Sequence, residues 1–253
     1  MSKNKDGTMP ILEHLAELRL RLLIAAGALL VAAMFCFAHI ESIRGILTGP
    51  LGSITLIYLS PPEAFMANIR LALFSGLIIS SPVIFYQLLA FAFPGLTRGE
   101  KFFVVSVLLG AVFLFSTGAV FAYYVVFPFT LRFFLQFASE QVEPLFAVSD
   151  YISFAISFHV AFGAVFQLPL LTWALGKIGL LSTAFLRRHR KIALLIMLIL
   201  SSVITPPDII SQVILVLPLL LLYEIGIIMV MISEKKRLKL LAEEEAKRKA
   251  ELE

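Results

Sequence analysis

Charged residues and cysteine are both scarce in this sequence of 253 residues, and their scarcity excludes whole classes of protein. Only 15% of the residues are charged and 60% are hydrophobic, whereas soluble domains average about 25% charged and about 45–50% apolar residues. The single cysteine, Cys36, excludes an intrachain disulfide and a cage of thiolates around a metal ion. The composition therefore indicates a membrane protein.

Catalytic motifs are also missing from the sequence. It contains no HExxH or GxSxG motif and no glycine-rich loop of the kind that holds phosphate groups. The four histidines are scattered, and only His159 falls inside a hydrophobic run, where a hydrogen bond between helices is the expected role. We therefore expect no enzyme, no cofactor and no metal site, which argues against an intramembrane protease.

Long hydrophobic runs dominate what is present. A membrane-spanning helix needs about 20 mostly apolar residues, and the sequence predicts an all-α polytopic membrane protein with six spans. These predicted spans are residues 22–37, 71–93, 102–129, 151–175, 192–204 and 209–232.

The fifth span is short, because its residues would cover only about 20 Å of a hydrocarbon core that is about 30 Å thick. Either residues 184–186 extend it or the bilayer thins around it. Between the fifth and sixth spans lies a tight turn of Thr205, Pro206, Pro207 and Asp208, with Asp208 placed to cap the sixth helix. The last two spans are therefore predicted to form a helical hairpin.

The positions of lysine and arginine predict the orientation. With six spans both termini lie on one side, and that side receives 18 of the 21 basic residues, whereas Arg44, Arg70 and Arg132 lie on the other. The positive-inside rule then places both termini in the cytoplasm. We divide the chain into a membrane domain, residues 1–232, and a charged cytoplasmic tail, residues 233–253.

Polar groups inside the spans are few, because placing them in hydrocarbon costs free energy. Glu224 is the only acid well inside a span, and either a neighbouring helix holds it, or it is protonated, or it belongs to a functional site. Gln167 lies before Pro169 in the fourth span, and Gln212 joins Thr205 and Asp208 at the hairpin turn. Such groups often bond to a partner helix in lipid.

Two cytoplasmic carboxylates attract attention. Glu17 lies on an amphipathic helix that leads into the first span. An ion pair with Arg21, four residues later, would explain the presence of an acid at this position. Glu100 lies between Arg98 and Lys101 in the first cytoplasmic loop, where a surface charge cluster would explain it.

Several blocks of residues occur in order along nearly the whole chain. They are HLAELRLRL (14–22), SPVIFYQLLAF (81–91), FPGL (93–96) with Glu100, FGAVFQLP (162–169), TPPD (205–208) with Ser211 and Gln212, and LYEIG (222–226). Together these blocks resemble the TatC family, the large subunit of the twin-arginine protein translocase.

The resemblance implies a receptor in the cytoplasmic membrane of a prokaryote for folded proteins whose signal peptides carry an Arg-Arg pair. It implies single-span partners of the TatA and TatB type, other TatC copies and membrane lipid, with no nucleic acid. Transport would be driven by the proton-motive force, without nucleotide or cofactor.

The resemblance also assigns residues. Glu17 and Glu100 would receive the two arginines, with Phe91 and Arg19 in the same recognition surface. A guanidinium pair needs carboxylates that accept charge-assisted bonds, which agrees with this assignment.

For a partner's transmembrane helix the resemblance implies a polar site at the hairpin, with Thr205 and Gln212. Ser202 stands there where some relatives have a larger apolar residue. The family usually has Glu in the fourth span, where this chain has Gln167, which can bond but cannot titrate.

A small-solute secondary transporter is the alternative interpretation. It would require polar groups that converge on a cavity at the bilayer midplane, and broken helices. Gln167, Pro169, Pro218 and Glu224 are the only candidates, which favours the translocase subunit.

Overall fold

The structure, a computed structural model, describes residues 11–52, 54–92, 100–137, 144–204 and 209–250. Within these ranges the chain forms ten α-helices and two short strands. The helices are α1 Ile11–Ala38, α2 Ile40–Thr48, α3 Pro61–Ala92, α4 Glu100–Phe121, α5 Phe127–Leu135, α6 Val148–Val165, α7 Leu168–Lys177, α8 Thr183–Arg188, α9 Arg190–Ile204 and α10 Ile209–Ala250. We call the end of the bundle where α1 begins the inner end, and the opposite end the outer end.

Five helical stretches in the described ranges are long and apolar enough to cross a membrane, which confirms the all-α polytopic prediction. They are Glu13–Ala38, Pro61–Phe91, Val104–Leu135, Val148–Lys177 and Leu215–Glu243.

Helix α9 covers the predicted fifth span and is only 15 residues long, which corresponds to about 22 Å. Residues 184–186 do not extend it, because they belong to α8, whose first turn is capped by the Ser182 hydroxyl. His189, with φ −98° and ψ 15°, separates α8 from α9. The predicted turn of Thr205, Pro206, Pro207 and Asp208 lies outside the described residues.

The predicted fourth span is divided between two helices. Helix α6 ends at Val165 and α7 begins at Leu168, with Gln167 at the junction. Pro169 has no N–H to donate to the carbonyl of Val165, four residues earlier, so the regular ladder of hydrogen bonds cannot continue here. Proline thus breaks this span in two.

Two other prolines are accommodated differently. Pro82 lies inside the continuous helix α3, where it leaves the Ile78 carbonyl without its usual donor. The hydroxyl of Ser81 donates to that carbonyl at 2.7 Å and replaces the missing bond. Just before Pro128, the chain forms a π-helical turn, Ala122–Val126, which joins α4 to α5.

The outer end carries a cap of short elements between the spans. It comprises α2, a 3₁₀ turn at Gly49–Leu51, strand β1 Leu56–Ile57, helix α5 and strand β2 Phe146–Ala147. The two strands, which the sequence did not predict, pair in parallel, with Leu56 opposite Phe146.

Glu63 ties this cap together. Its carboxylate accepts the N–H of Leu59 at 2.6 Å and the N–H of Ser149, in the first turn of α6, at 3.1 Å. A single side chain at the start of α3 therefore fixes the preceding loop and the start of α6.

Aromatic side chains form the core between α3, α5 and α6. Phe127, Phe158 and Ile152 are fully buried, and the rings of Phe127 and Phe158 lie 6.0 Å apart. Helix α1 packs mainly against α3, and α10 packs against α7 and α9. The inner end of the α1–α3 pair brings together the residues considered next.

Candidate functional site

Glu17 lies at the inner end of α1, where it faces the last turns of α3. Arg21, one turn later, donates to Oε1 of Glu17 from both Nε (2.9 Å) and Nη2 (2.5 Å). Nη1 of Arg21 also donates to the Gln87 side chain of α3 at 3.4 Å. The predicted i,i+4 ion pair is therefore present, and it is joined to the neighbouring helix.

The other carboxylate oxygen of Glu17, Oε2, is buried and has no hydrogen-bond partner among the residues that the structure describes. A buried carboxylate oxygen without a donor is destabilising, because it has lost its water without replacement. Both Arg21 contacts converge on Oε1, so the lone pairs of Oε2 are not used by any described donor.

An aromatic pair lies beside this carboxylate. The His14 ring of α1 stacks on the Phe91 ring of α3, with centroids 4.4 Å apart and planes at 14°. Phe91 was predicted to belong to the recognition surface, and the structure places it within one turn of Gln87 on α3. Together these side chains form what we call the α1–α3 cluster: His14, Glu17, Arg21, Gln87 and Phe91.

Sequence reasoning assigned no role to His14 or Gln87. Their spacing could have suggested one. His14, Glu17 and Arg21 are separated by three and four residues, and Gln87 and Phe91 are separated by four. Such intervals place side chains on one face of a helix. The contact between the two faces depends on how α1 packs on α3, and no periodicity specifies that.

Arg19 and Glu100 are not brought to the cluster by any described contact. Arg19 is exposed and lies two residues from Glu17, which places it on another side of α1. Glu100 begins α4; its side chain and the preceding loop, residues 93–99, lie outside the described residues.

Ser202 and Gln212 lie in the outer halves of α9 and α10. The Gln212 amide donates to the Leu198 carbonyl of α9 at 2.9 Å, so it joins the two helices of the hairpin. Ser202 is exposed, and its hydroxyl donates to the Ile199 carbonyl within α9 at 3.1 Å. Thr205 lies outside the described residues.

The two intramembrane polar groups contact different helices. Glu224 is half exposed and accepts a bond from Arg190, at the start of α9, at 2.7 Å. The structure thus shows this carboxylate held by the neighbouring helix. Gln167 donates to the Ala111 carbonyl of α4 at 3.0 Å.

The buried histidine, His159, makes no hydrogen bond to another helix among the described residues. Nδ1 of His159 lies 2.7 Å from the Ala155 carbonyl one turn earlier in its own helix, α6. Its ring packs against Phe74, Tyr123 and Phe127, so the expected hydrogen bond between helices is replaced by aromatic packing. In the described part of the chain no group of three or more His, Cys, Asp or Glu residues could hold a metal ion.

A comparison with known protein families gives a match over most of the chain. The profile of the Sec-independent protein translocase protein (TatC) matches residues 13–218. A Sec-independent protein translocase protein TatC from Desulforapulum autotrophicum is 39% identical over 245 residues, which cover 94% of this chain and 89% of the relative. One from Magnetococcus marinus is 37% identical over 251 residues, which cover 97% and 93%.

Solved structures give the same result. A crystal structure of the twin-arginine translocase receptor TatC superposes with a TM-score of 0.76 at 37% identity and covers 87% of this chain and 99% of that one. A second crystal structure of the receptor, in DDM, gives a TM-score of 0.78 at 39% identity, with coverages of 85% and 98%.

Proposed function

This chain belongs to the TatC family of Sec-independent protein translocases, and we propose that the α1–α3 cluster is where it binds the paired arginines of a signal peptide. The observation that carries the proposal is that only one of the two carboxylate oxygens of Glu17 accepts hydrogen bonds from described residues. Oε1 accepts both bonds from Arg21, while Oε2 has no donor in the described part of the chain.

Charge explains why carboxylates are needed at this end of the bundle. Basic residues predominate on the inner side, and two incoming arginines would be repelled unless local acids offset that charge. A carboxylate accepts a guanidinium through charge-assisted bonds, which are stronger than bonds between neutral groups. Glu17 supplies one such acceptor, and we propose Glu100, at the start of α4, as the second.

Arg21 and Gln87 serve as positioning residues in this proposal. Their hydrogen bonds fix the carboxylate of Glu17 against α3 before any ligand arrives. The stacked rings of His14 and Phe91 close one side of the site, and Phe91 offers a flat surface for a guanidinium. Arg19, exposed on another side of α1, would contact the signal peptide outside the cluster.

The hairpin of α9 and α10 is proposed as the contact for single-span partners of the TatA and TatB type. Exposed Ser202 and the polar groups of Gln212 and Thr205 would bond to a partner helix. The internal bond from Gln212 to Leu198 leaves the amide oxygen as the group for that contact. The assembly would lie in the cytoplasmic membrane of a prokaryote, with both termini cytoplasmic, and would use the proton-motive force.

The transporter alternative gains no support from the positions of its polar groups. Gln167 bonds to α4 and Glu224 bonds to α9. Neither residue lines the groove between α2, α3 and α4 or the groove between α1, α3 and α6. We therefore retain the translocase function.

The proposal is tested by cross-linking a signal peptide with an Arg-Arg pair to the protein in membranes. Glu17→Gln keeps the shape of the side chain but removes its charge, and we expect it to weaken binding about tenfold. We expect a weaker effect from Glu100→Gln alone and the largest from the double variant.

Glu13→Gln is the matched control, because Glu13 lies one turn before Glu17 on α1 and is exposed. It should leave cross-linking unchanged. A Lys-Lys peptide should bind the unaltered protein more weakly, because an ammonium cannot form the planar, two-pronged contact of a guanidinium. Unchanged cross-linking in the double variant would refute this assignment of the site.

A further inference from the structure

A groove of about 550 Å³ opens between α1, α3 and α6 in the outer half of the bundle, far from the α1–α3 cluster. Its walls are mostly apolar, with Leu73 and Leu77 from α3 and Ile156 and Val160 from α6. Arg70 stands on the outer side of the groove together with Ser153. The groove therefore combines an apolar trough with one cationic end.

Arg70 has only neutral partners in the described residues. Its Nη1 donates to the hydroxyl of Ser153 at 3.0 Å and to that of Ser149 at 3.3 Å. No ion pair joins it to a carboxylate within 4.0 Å in the same part of the chain. Glu63, seven residues earlier, already accepts two backbone N–H groups, and Asp150 is exposed and makes no ion pair there. The positive charge of Arg70 is thus not neutralised by the protein that is described.

The depth of Arg70 in the membrane follows from helix geometry. From Arg70 to the inner end of α3 at Ala92 the helix rises about 33 Å. This length is close to the thickness of the hydrocarbon core, about 30 Å. Arg70 therefore lies at the level of the outer headgroups, and the apolar trough runs inward from it over about two helical turns.

From this arrangement we propose that the groove binds a phospholipid of the outer leaflet. Its phosphodiester accepts hydrogen bonds from Arg70 and the nearby serine hydroxyls, and one acyl chain lies along Leu73, Leu77, Ile156 and Val160. An anionic oxygen is the natural acceptor for an arginine with no carboxylate partner. A transmembrane helix of a partner protein would fill the trough but would leave that charge unneutralised.

The test uses the purified full-length chain in detergent, with phosphatidylglycerol added and the bound fraction measured by native mass spectrometry. Arg70→Gln should lower the apparent affinity for the lipid about tenfold. Arg132→Gln is the matched control, because Arg132 is another exposed arginine of the outer end and lies outside the groove. It should retain the affinity of the unaltered protein.

A second variant fills the groove and leaves Arg70 in place. Ser157 lines the groove and is exposed, so Ser157→Phe adds bulk without removing core packing. We expect it to lower lipid binding as well. Diacylglycerol with the same acyl chains, and glycerol phosphate with none, should each bind much more weakly than the intact lipid.

A photo-reactive residue at position 73 identifies the occupant in native membranes, and a lipid adduct is the expected product. The proposal is overturned if Arg70→Gln binds phosphatidylglycerol as well as the Arg132→Gln control does. It is also overturned if diacylglycerol, or glycerol phosphate, binds as tightly as the whole lipid. A protein adduct at position 73 would overturn it too.

Discussion

At the scale of single residues, buried polar side chains join elements that lie far apart in the sequence. The hydroxyl of Tyr151, on α6, donates to the Leu47 carbonyl of α2 at 2.8 Å. Both residues are almost fully buried, with 3% and 5% of their surface exposed. The bond therefore fixes the outer cap to the core of the bundle.

Removing this hydroxyl should destabilise the protein. Tyr151→Phe leaves the Leu47 carbonyl without that donor in a buried position, and we expect it to cost about 1–3 kcal/mol. Thermal unfolding in detergent can be followed with a dye that reacts with thiols, because the only cysteine, Cys36, is fully buried in the folded state. The unfolding temperature should fall.

Tyr124→Phe is the control for this change, since the Tyr124 side chain is 72% exposed. It should unfold at the temperature of the unaltered protein. If both variants unfolded alike, the hydroxyl of Tyr151 would not hold the cap to the core.

At the scale of elements, glycines allow helices to approach closely. A Cβ atom at Gly76 of α3 would lie 2.7 Å from the backbone nitrogen of Ala33 in α1. A Cβ at Gly118 of α4 would lie 2.6 Å from the Phe162 carbonyl oxygen of α6. In both places the neighbour is backbone, which cannot move aside without shifting a whole helix.

We expect Gly76→Ala to separate α1 from α3 at a cost of about 1–3 kcal/mol. Because α1 packs mainly on α3, this separation should also speed up labelling of Cys36 by the thiol dye below the unfolding temperature. Both quantities are measured in the same detergent-solubilised protein.

Gly27→Ala provides the comparison, because no atom lies within 4 Å of a Cβ at that position of α1. Alanine also favours the helix over glycine, so this variant should be neutral or slightly more stable. Equal labelling of the two variants would show that the helices do not need Gly76 for their contact.

At the inner end, the short helix α8 is held against the long helix α10 by hydrogen bonds. The Glu234 carboxylate of α10 accepts both the N–H and the hydroxyl of Thr183, at 3.0 and 2.6 Å, where α8 begins. The Tyr223 hydroxyl donates to the Leu186 carbonyl at 2.8 Å.

Gly179, with φ +86°, forms the turn before α8, and the Arg237 guanidinium occupies the space where a Cβ would lie. Helix α8 is therefore docked along α10.

At the scale of the whole molecule, the distribution of basic residues predicts which end of the bundle faces the cytoplasm. Lysine and arginine predominate at the end where α3 ends and α8 lies, and three arginines lie at the other. The proposed signal site requires the first of these ends to be cytoplasmic, and the proposed lipid site requires the second to face outward.

Two exposed leucines make this orientation testable. Leu59, before α3, is 76% exposed, and Leu180, before α8, is 73% exposed, so cysteines at these positions should react equally when both are accessible. With a maleimide that cannot cross membranes, we expect Leu59→Cys to be labelled in intact cells and Leu180→Cys only in inverted membrane vesicles. The opposite pattern would reverse the orientation, and the buried Cys36 should remain unlabelled in both preparations.

Much of the fold was predictable from the sequence, and the departures have identifiable causes. Hydrophobic runs located the long helices and the short α9, because peptide groups in hydrocarbon must be satisfied within a helix. The position of the break at Gln167 could not be predicted from Pro169, because prolines such as Pro82 and Pro218 lie inside continuous helices. At Pro82 the Ser81 hydroxyl donates to the carbonyl that lacks its usual donor, and no periodicity in the sequence predicts that bond.

The candidate site was predictable in part. The motif in α1 pointed to Glu17, and the spacing of Glu17 and Arg21 predicted their ion pair. The sequence alone could not show that Gln87 also binds Arg21, or that His14 stacks on Phe91, because these contacts join residues more than 60 positions apart.

The sequence by itself determined that this protein is an all-α membrane protein of the TatC family, because hydropathy and motif order are properties of neighbouring residues. Only the tertiary structure decided which polar groups are paired and which are not. Among the residues that the structure describes, Oε2 of Glu17 has no donor, Glu224 pairs with Arg190, and Arg70 has no carboxylate partner at the outer end of an apolar groove. The physical reason is that pairing depends on distances between separate helices, and those distances are set by how the helices pack.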